Sequence, residues 1–200
     1  MGVAVEHAHD GGGAVRREQL VQNRVVAVGQ SLACLQGAED EIRGGEADDV
    51  AFDSGRLELA GGYPLRRGTN APQVALVGTG AIMPELIAAA DELEAAGIEC
   101  DIVCLTSADL VFRALQARQG LADADRQILD QLFPADRAAP IVSVLDGHPH
   151  TLSFLSAIRQ VPIACLGVDD FGQSGDVPDL YQAFGIDTDT IVGAASDLLG

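Results

Sequence analysis

Residues 73–105, QVALVGTGAIMPELIAAADELEAAGIECDIVCL, decide how this chain folds. QVALVG (73–78) is an unbroken run of Val, Ala and Leu that stops at Gly78, the composition of a strand covered on both faces. A helix follows. Pro84 suits its first turn, Glu85 favours the positive end of its dipole, and Gly97 closes it. Met83, Leu86, Ile87, Ala90 and Leu93 recur at helical spacing and give it one apolar face. IECDIVCL (98–105) is apolar again and reads as a second strand. Strand, helix and strand joined this closely predict a parallel pair with a crossover helix.

The alternation continues towards the C-terminus. Ser107 offers an N-cap to a helix whose apolar face is Leu110, Val111, Ala114 and Leu115. A short helix over 127–133 leads through Pro134 and Pro140 to a third strand, IVSVL (141–145). DGHPH (146–150) makes the turn, TLSFLSAI (151–158) reads as a helix, and IACLG (163–167) is a fourth strand. VPDLYQAFG (177–185) is a short helix ended by Gly185, and Asp187 can cap a last helix over 188–199. The expected architecture is α/β: three layers, with a mostly parallel sheet of four to five strands covered on both faces. The four strands at 73–78, 98–105, 141–145 and 163–167 are expected at its centre.

Upstream the pattern is lost. Glycine clusters at 11–13 and 44–45 and the acids of AEDE (38–41) interrupt every apolar run, and only Leu20–Leu35 could form a strand or short helix. Residues 1–54 are therefore an expected N-terminal extension, poor in packing. Residues 55–200 form the domain, beginning with the strand-like LELAGGYPLR (57–66).

All 12 basic residues are arginine, so a catalytic lysine, Schiff-base chemistry and a Walker-type phosphate loop are excluded. From residue 73 onward, 19 acids face five arginines, a surface that repels phosphate backbones and argues against nucleic acid as a partner. No apolar run approaches the ~20 residues that cross a bilayer. Met1–Asp10 has no apolar core of a secretory signal. Of the cysteines Cys34, Cys100, Cys104 and Cys165, three lie in strand-like segments as small hydrophobes, which suits a reducing cytoplasm and no metal site.

Three motifs invite a chemical reading. Gly78-Thr79-Gly80 follows a strand as a dinucleotide fingerprint does, but the third glycine position holds Met83. The acids Glu99 and Asp101 also stand at the start of the second strand, whereas a ribose-binding acid stands at its end. Asp146, His148 and His150 lie beyond the third strand, on the edge where α/β sites form, without any G-x-S-x-G nucleophile nearby. Gly172, Ser174 and Gly175 precede the helix at Val177 and could offer amides to an anion, though no lysine or arginine accompanies them. Asp146, His148, His150, Gly172 and Ser174 together are the candidate interface or ligand edge. No residue qualifies as catalytic, cofactor-binding or metal-ligating.

The series VALVGTGAIMPELIAAADELEAAGIECDIVCLTSADL, IVSVLDGHPH and LGVDDFGQSGDVPDLYQAFGIDTDTIV resembles the C-terminal domain of transketolase-like, thiamine-diphosphate-dependent enzymes over roughly residues 55–200. SADLVFRALQARQG and LDQLFPADRAAPIVSVLDGHPH look closest to the homodimeric pyruvate dehydrogenase branch. The resemblance implies an accessory and dimerisation domain of a 2-oxo-acid dehydrogenase. Its partners would be the remaining domains of the enzyme or a second subunit. Thiamine diphosphate and magnesium are implied for the full-length enzyme, where two preceding domains hold them through a Gly-Asp-Gly…Asn motif that this chain lacks. The chain would then be a truncated or split gene product, or one with a misplaced start, without activity of its own. Two rivals stand beside this: a stand-alone binding or regulatory module using Thr79-Gly80, Asp146-His148 and Gly172-Ser174, and a small nucleotide-dependent oxidoreductase.

Overall fold

The computed structural model describes Leu57, residues 59–170 and residues 173–200. The expected extension, including Leu20–Leu35, and Gly172 lie outside the described residues.

Among the described residues, five strands form one sheet in the order β1-β3-β2-β4-β5. They are β1 (Gly62–Arg66), β2 (Val74–Gly78), β3 (Cys100–Leu105), β4 (Ile141–Leu145) and β5 (Ile163–Gly167). β3, β2, β4 and β5 run parallel, and β1 pairs antiparallel with β3 at one margin. The strand-like reading of LELAGGYPLR holds only for its second half, because Leu57, Leu59 and Ala60 are helical and Gly61 makes the turn into β1.

Connection handedness distributes the helices. From β2 the chain passes through α1 (Met83–Ala95) to β3 on one side. From β3 it returns past β2 through α2 (Ala108–Arg118) and α3 (Gln127–Leu132) to β4 on the other. Right-handed crossovers in opposite directions put α1 and α2–α3 on opposite faces. The last helix, α6 (Thr188–Leu199), packs along α1 and closes that layer. The result is three layers, with Leu76, Ile102 and Val142 fully buried at the centre.

Local details follow the sequence unevenly. Ser107 caps α2 by accepting the Leu110 N–H at 3.3 Å. Leu110, expected on its apolar face, is 40% exposed. TLSFLSAI is not one helix: a 3-10 segment runs over Pro149–Leu155, and only α4 (Ser156–Arg159) is α-helical. Among the described residues, no helix is long and apolar enough to cross a membrane.

Candidate functional site

The connections from β2 and from β4 leave the sheet in opposite directions, so the topological switch point lies between these two strands. In open α/β sheets ligands gather in the crevice there, outside the carboxyl ends of the strands. Thr79-Gly80 follows β2, and Asp146 to His150 follow β4.

Gly80 has φ +61 and open space around it, so the turn needs its freedom rather than its small volume. Gly78 is needed for the opposite reason. A Cβ there would stand 3.0 Å from the Leu86 side chain, so its absence lets α1 lie close to the sheet. Met83 is buried beside this turn.

The histidine turn is built against β5. The Val168 N–H donates to the Gly147 carbonyl at 2.8 Å, and a Cβ on Gly167 would come within 2.8 Å of the Pro149 nitrogen. His148 caps the 3-10 segment through Nδ1, which accepts the His150 N–H at 3.4 Å, and the two Nδ1 atoms are also in direct hydrogen-bonding contact. The rings stand edge to face, 4.2 Å between centroids, so one imidazole must donate and the other accept. Asp146, His148, His150 and Ser174 are all exposed. No hydrogen bond among the described residues joins Ser174 to either histidine.

Tyr181 feels charge from both sides of this edge. Tyr181, on α5 (Val177–Phe184), has its phenol pKa raised by burial and then by the charges of Asp146, beyond β4, and Glu85, beyond β2. Glu85 is also committed: its Oε2 accepts the Thr188 N–H at 3.0 Å and the Thr188 hydroxyl at 2.6 Å, capping α6 from α1. The expected cap Asp187 makes no side-chain bond to the helix amides. A small polar cleft remains beside this pair, between Glu85, Tyr181, Gln182 and Thr188.

Glu99 and Asp101 stand at the opposite end of the sheet. Asp101 is 1% exposed and accepts from Arg137 at 2.6 and 2.9 Å, from Arg67 at 2.6 Å and from the Gly68 N–H at 3.1 Å. Burial opposes its ionisation, but the hydrogen bonds from Arg137 and Arg67, with the Arg67 charge, outweigh it and hold the carboxyl below its ordinary range. An acid so engaged is not available to a ribose. An Asp inside an apolar strand was the only sequence signal of this cluster.

The family model for the transketolase-like TK C-terminal domain matches residues 61–187. This chain belongs to that family. A curated relative, transketolase 2 of Xanthobacter flavus, is 32% identical over 141 residues, which is 70% of this chain and 19% of that protein. The chain thus spans about one-fifth of the length of this transketolase. Among solved structures, a transketolase variant from Pichia stipitis in complex with fructose 6-phosphate superposes with TM-score 0.54 at 20% identity, covering 72% of this chain and 18% of that one. A split-gene transketolase described as an inactive β4 tetramer gives 0.50 at 22%, covering 74% of this chain and 43% of that one. These structural likenesses establish the transketolase C-terminal fold. The relatives are transketolases, so nearness to the pyruvate dehydrogenase branch is not what the comparisons display.

Proposed function

We propose that this chain supplies the C-terminal accessory and dimerisation domain of a thiamine-diphosphate-dependent enzyme and carries no catalysis alone. The observation that carries the reading is the family match over 61–187 in a chain corresponding to only 19% of the matched transketolase. The domain is residues 55–200. The finer reading, a pyruvate-type 2-oxo-acid dehydrogenase, rests on SADLVFRALQARQG and LDQLFPADRAAPIVSVLDGHPH. A cytoplasmic location agrees with Cys100 and Cys165 being free thiols among the described residues.

The described residues do not fit thiamine diphosphate with magnesium. Among them no group of three His, Cys, Asp or Glu side chains converges as a metal site. Every described arginine except Arg126 is already bound to a carboxylate or to backbone carbonyls. A diphosphate is held through a metal, cationic side chains or converging backbone amides. The cofactor would belong to the other domains, with the decarboxylation chemistry supplied by its thiazolium ring.

The test is association. Mixed with Xanthobacter flavus transketolase 2 lacking the matched stretch, the chain should sediment as a complex. Failure to form one contradicts the reading. A reading frame beside this one that encodes cofactor-binding domains of dehydrogenase or of transketolase type would settle the branch.

A further inference from the structure

From Ile163 to Phe184 no described residue is buried, although this stretch contains both a strand and a helix. All five residues of β5, Ile-Ala-Cys-Leu-Gly, are only half-buried. Strands of a parallel sheet are ordinarily covered on both faces, and an outer strand also presents unpaired backbone groups. In α5, Val177, Leu180, Tyr181 and Phe184 recur at i, i+3, i+4 and i+7, the spacing of one apolar stripe. Val177 is 56% exposed and the other three are half-buried. Burial is unfinished along this whole side of the domain.

The surrounding charge says what could finish it. Asp176 and Asp179 beside the stripe, Asp189 next to Asp179 and Asp169 after β5 are all exposed, and no basic residue occurs after Arg159. A second copy would bring the same acidic rim from a chain of net charge −18, and like charges across an interface are unfavourable. A complementary surface is apolar at its centre and rimmed by arginine or lysine.

We propose that the β5–α5 face docks onto such a basic-rimmed apolar groove, and that the groove belongs to the cofactor-binding portion of a transketolase-type enzyme. This rests on the function proposed above and adds the surface and the chemistry of the contact. The amphipathic helix supplies apolar anchors, and the aspartates orient it and make the contact salt-sensitive.

The probe is the same truncated Xanthobacter flavus transketolase 2, titrated with the full chain by sedimentation velocity at low and high salt. Leu180→Asp should weaken the complex by roughly tenfold or more, as loss of an interface anchor does. The double variant Asp169→Arg, Asp179→Arg alters only exposed positions; it should weaken the complex and reduce its salt dependence. Thermal unfolding of each variant checks that the domain remains folded. A complex indifferent to both variants overturns the surface and leaves the functional reading standing. No complex with the unaltered chain overturns that reading and this surface with it. Self-association dispersed by Leu180→Asp would make a second copy the occupant and contradict the proposal.

Discussion

Arg137 clasps Asp101 at two points, Nη2 to Oδ1 at 2.6 Å and Nε to Oδ2 at 2.9 Å, across 36 residues of chain. Arg67 adds a third bond to the same carboxylate and donates to the Gln131 and Leu132 carbonyls at 3.0 and 2.8 Å. One buried acid thereby ties the segment after β1, the end of α3 and the approach to β4 to the start of β3. Removing one partner of a buried pair leaves charge without compensation. Asp101→Asn should cost about 3 kcal/mol in urea unfolding. Asp130→Asn, at an exposed carboxylate that pairs with Arg159, should cost less than about 1 kcal/mol. Equal effects would contradict the clasp.

The same carboxylate sets an acid limit. Its folded pKa is lowered, so its contribution is fully present above the unfolded value of ~3.9 and is lost as pH falls through the depressed folded value. Stability measured from pH 7 downward should drop below about pH 4 more steeply in the unaltered chain than in Asp101→Asn. Parallel curves would show that Asp101 contributes nothing to acid unfolding.

Gly167 tests how the histidine turn is held. A methyl group there would press on the Pro149 nitrogen and Cα, at 2.8 and 2.9 Å, where backbone cannot yield easily. Gly167→Ala should destabilise by roughly 1–3 kcal/mol. Gly193→Ala, within α6 and with nothing near its added Cβ, should stabilise by about 0.5–1 kcal/mol. A neutral Gly167→Ala would show that the turn does not depend on this approach.

The sequence was most readable where structure is local or fully buried. β2, β3 and β4 appear as apolar runs because both their faces are covered, and Ser107 signals its cap within three residues. β5 has the same composition but stands at the margin, half-exposed, since composition cannot say whether a neighbour arrives. The capping of α6 by Glu85 and the Asp101 clasp are tertiary pairings over 103 and 36 residues, which no local pattern encodes. Of the candidate edge, the turn position of Asp146, His148 and His150 was legible. The placing of Tyr181 near Asp146 was not, because it depends on where α5 folds back.

His148 and His150 touch through their Nδ1 atoms yet offer only two ligands, and structural zinc takes four. Metal analysis of protein purified without added metal should find less than stoichiometric zinc. Stoichiometric zinc lost on His148→Ala would contradict this.

The central claim is that this domain serves a thiamine-diphosphate enzyme without holding the cofactor. Calorimetric titration of the purified chain with thiamine diphosphate and magnesium tests it most directly. The account predicts no binding heat and no carbon dioxide released from pyruvate. Micromolar binding, or pyruvate-dependent release of carbon dioxide by this chain alone, would contradict it.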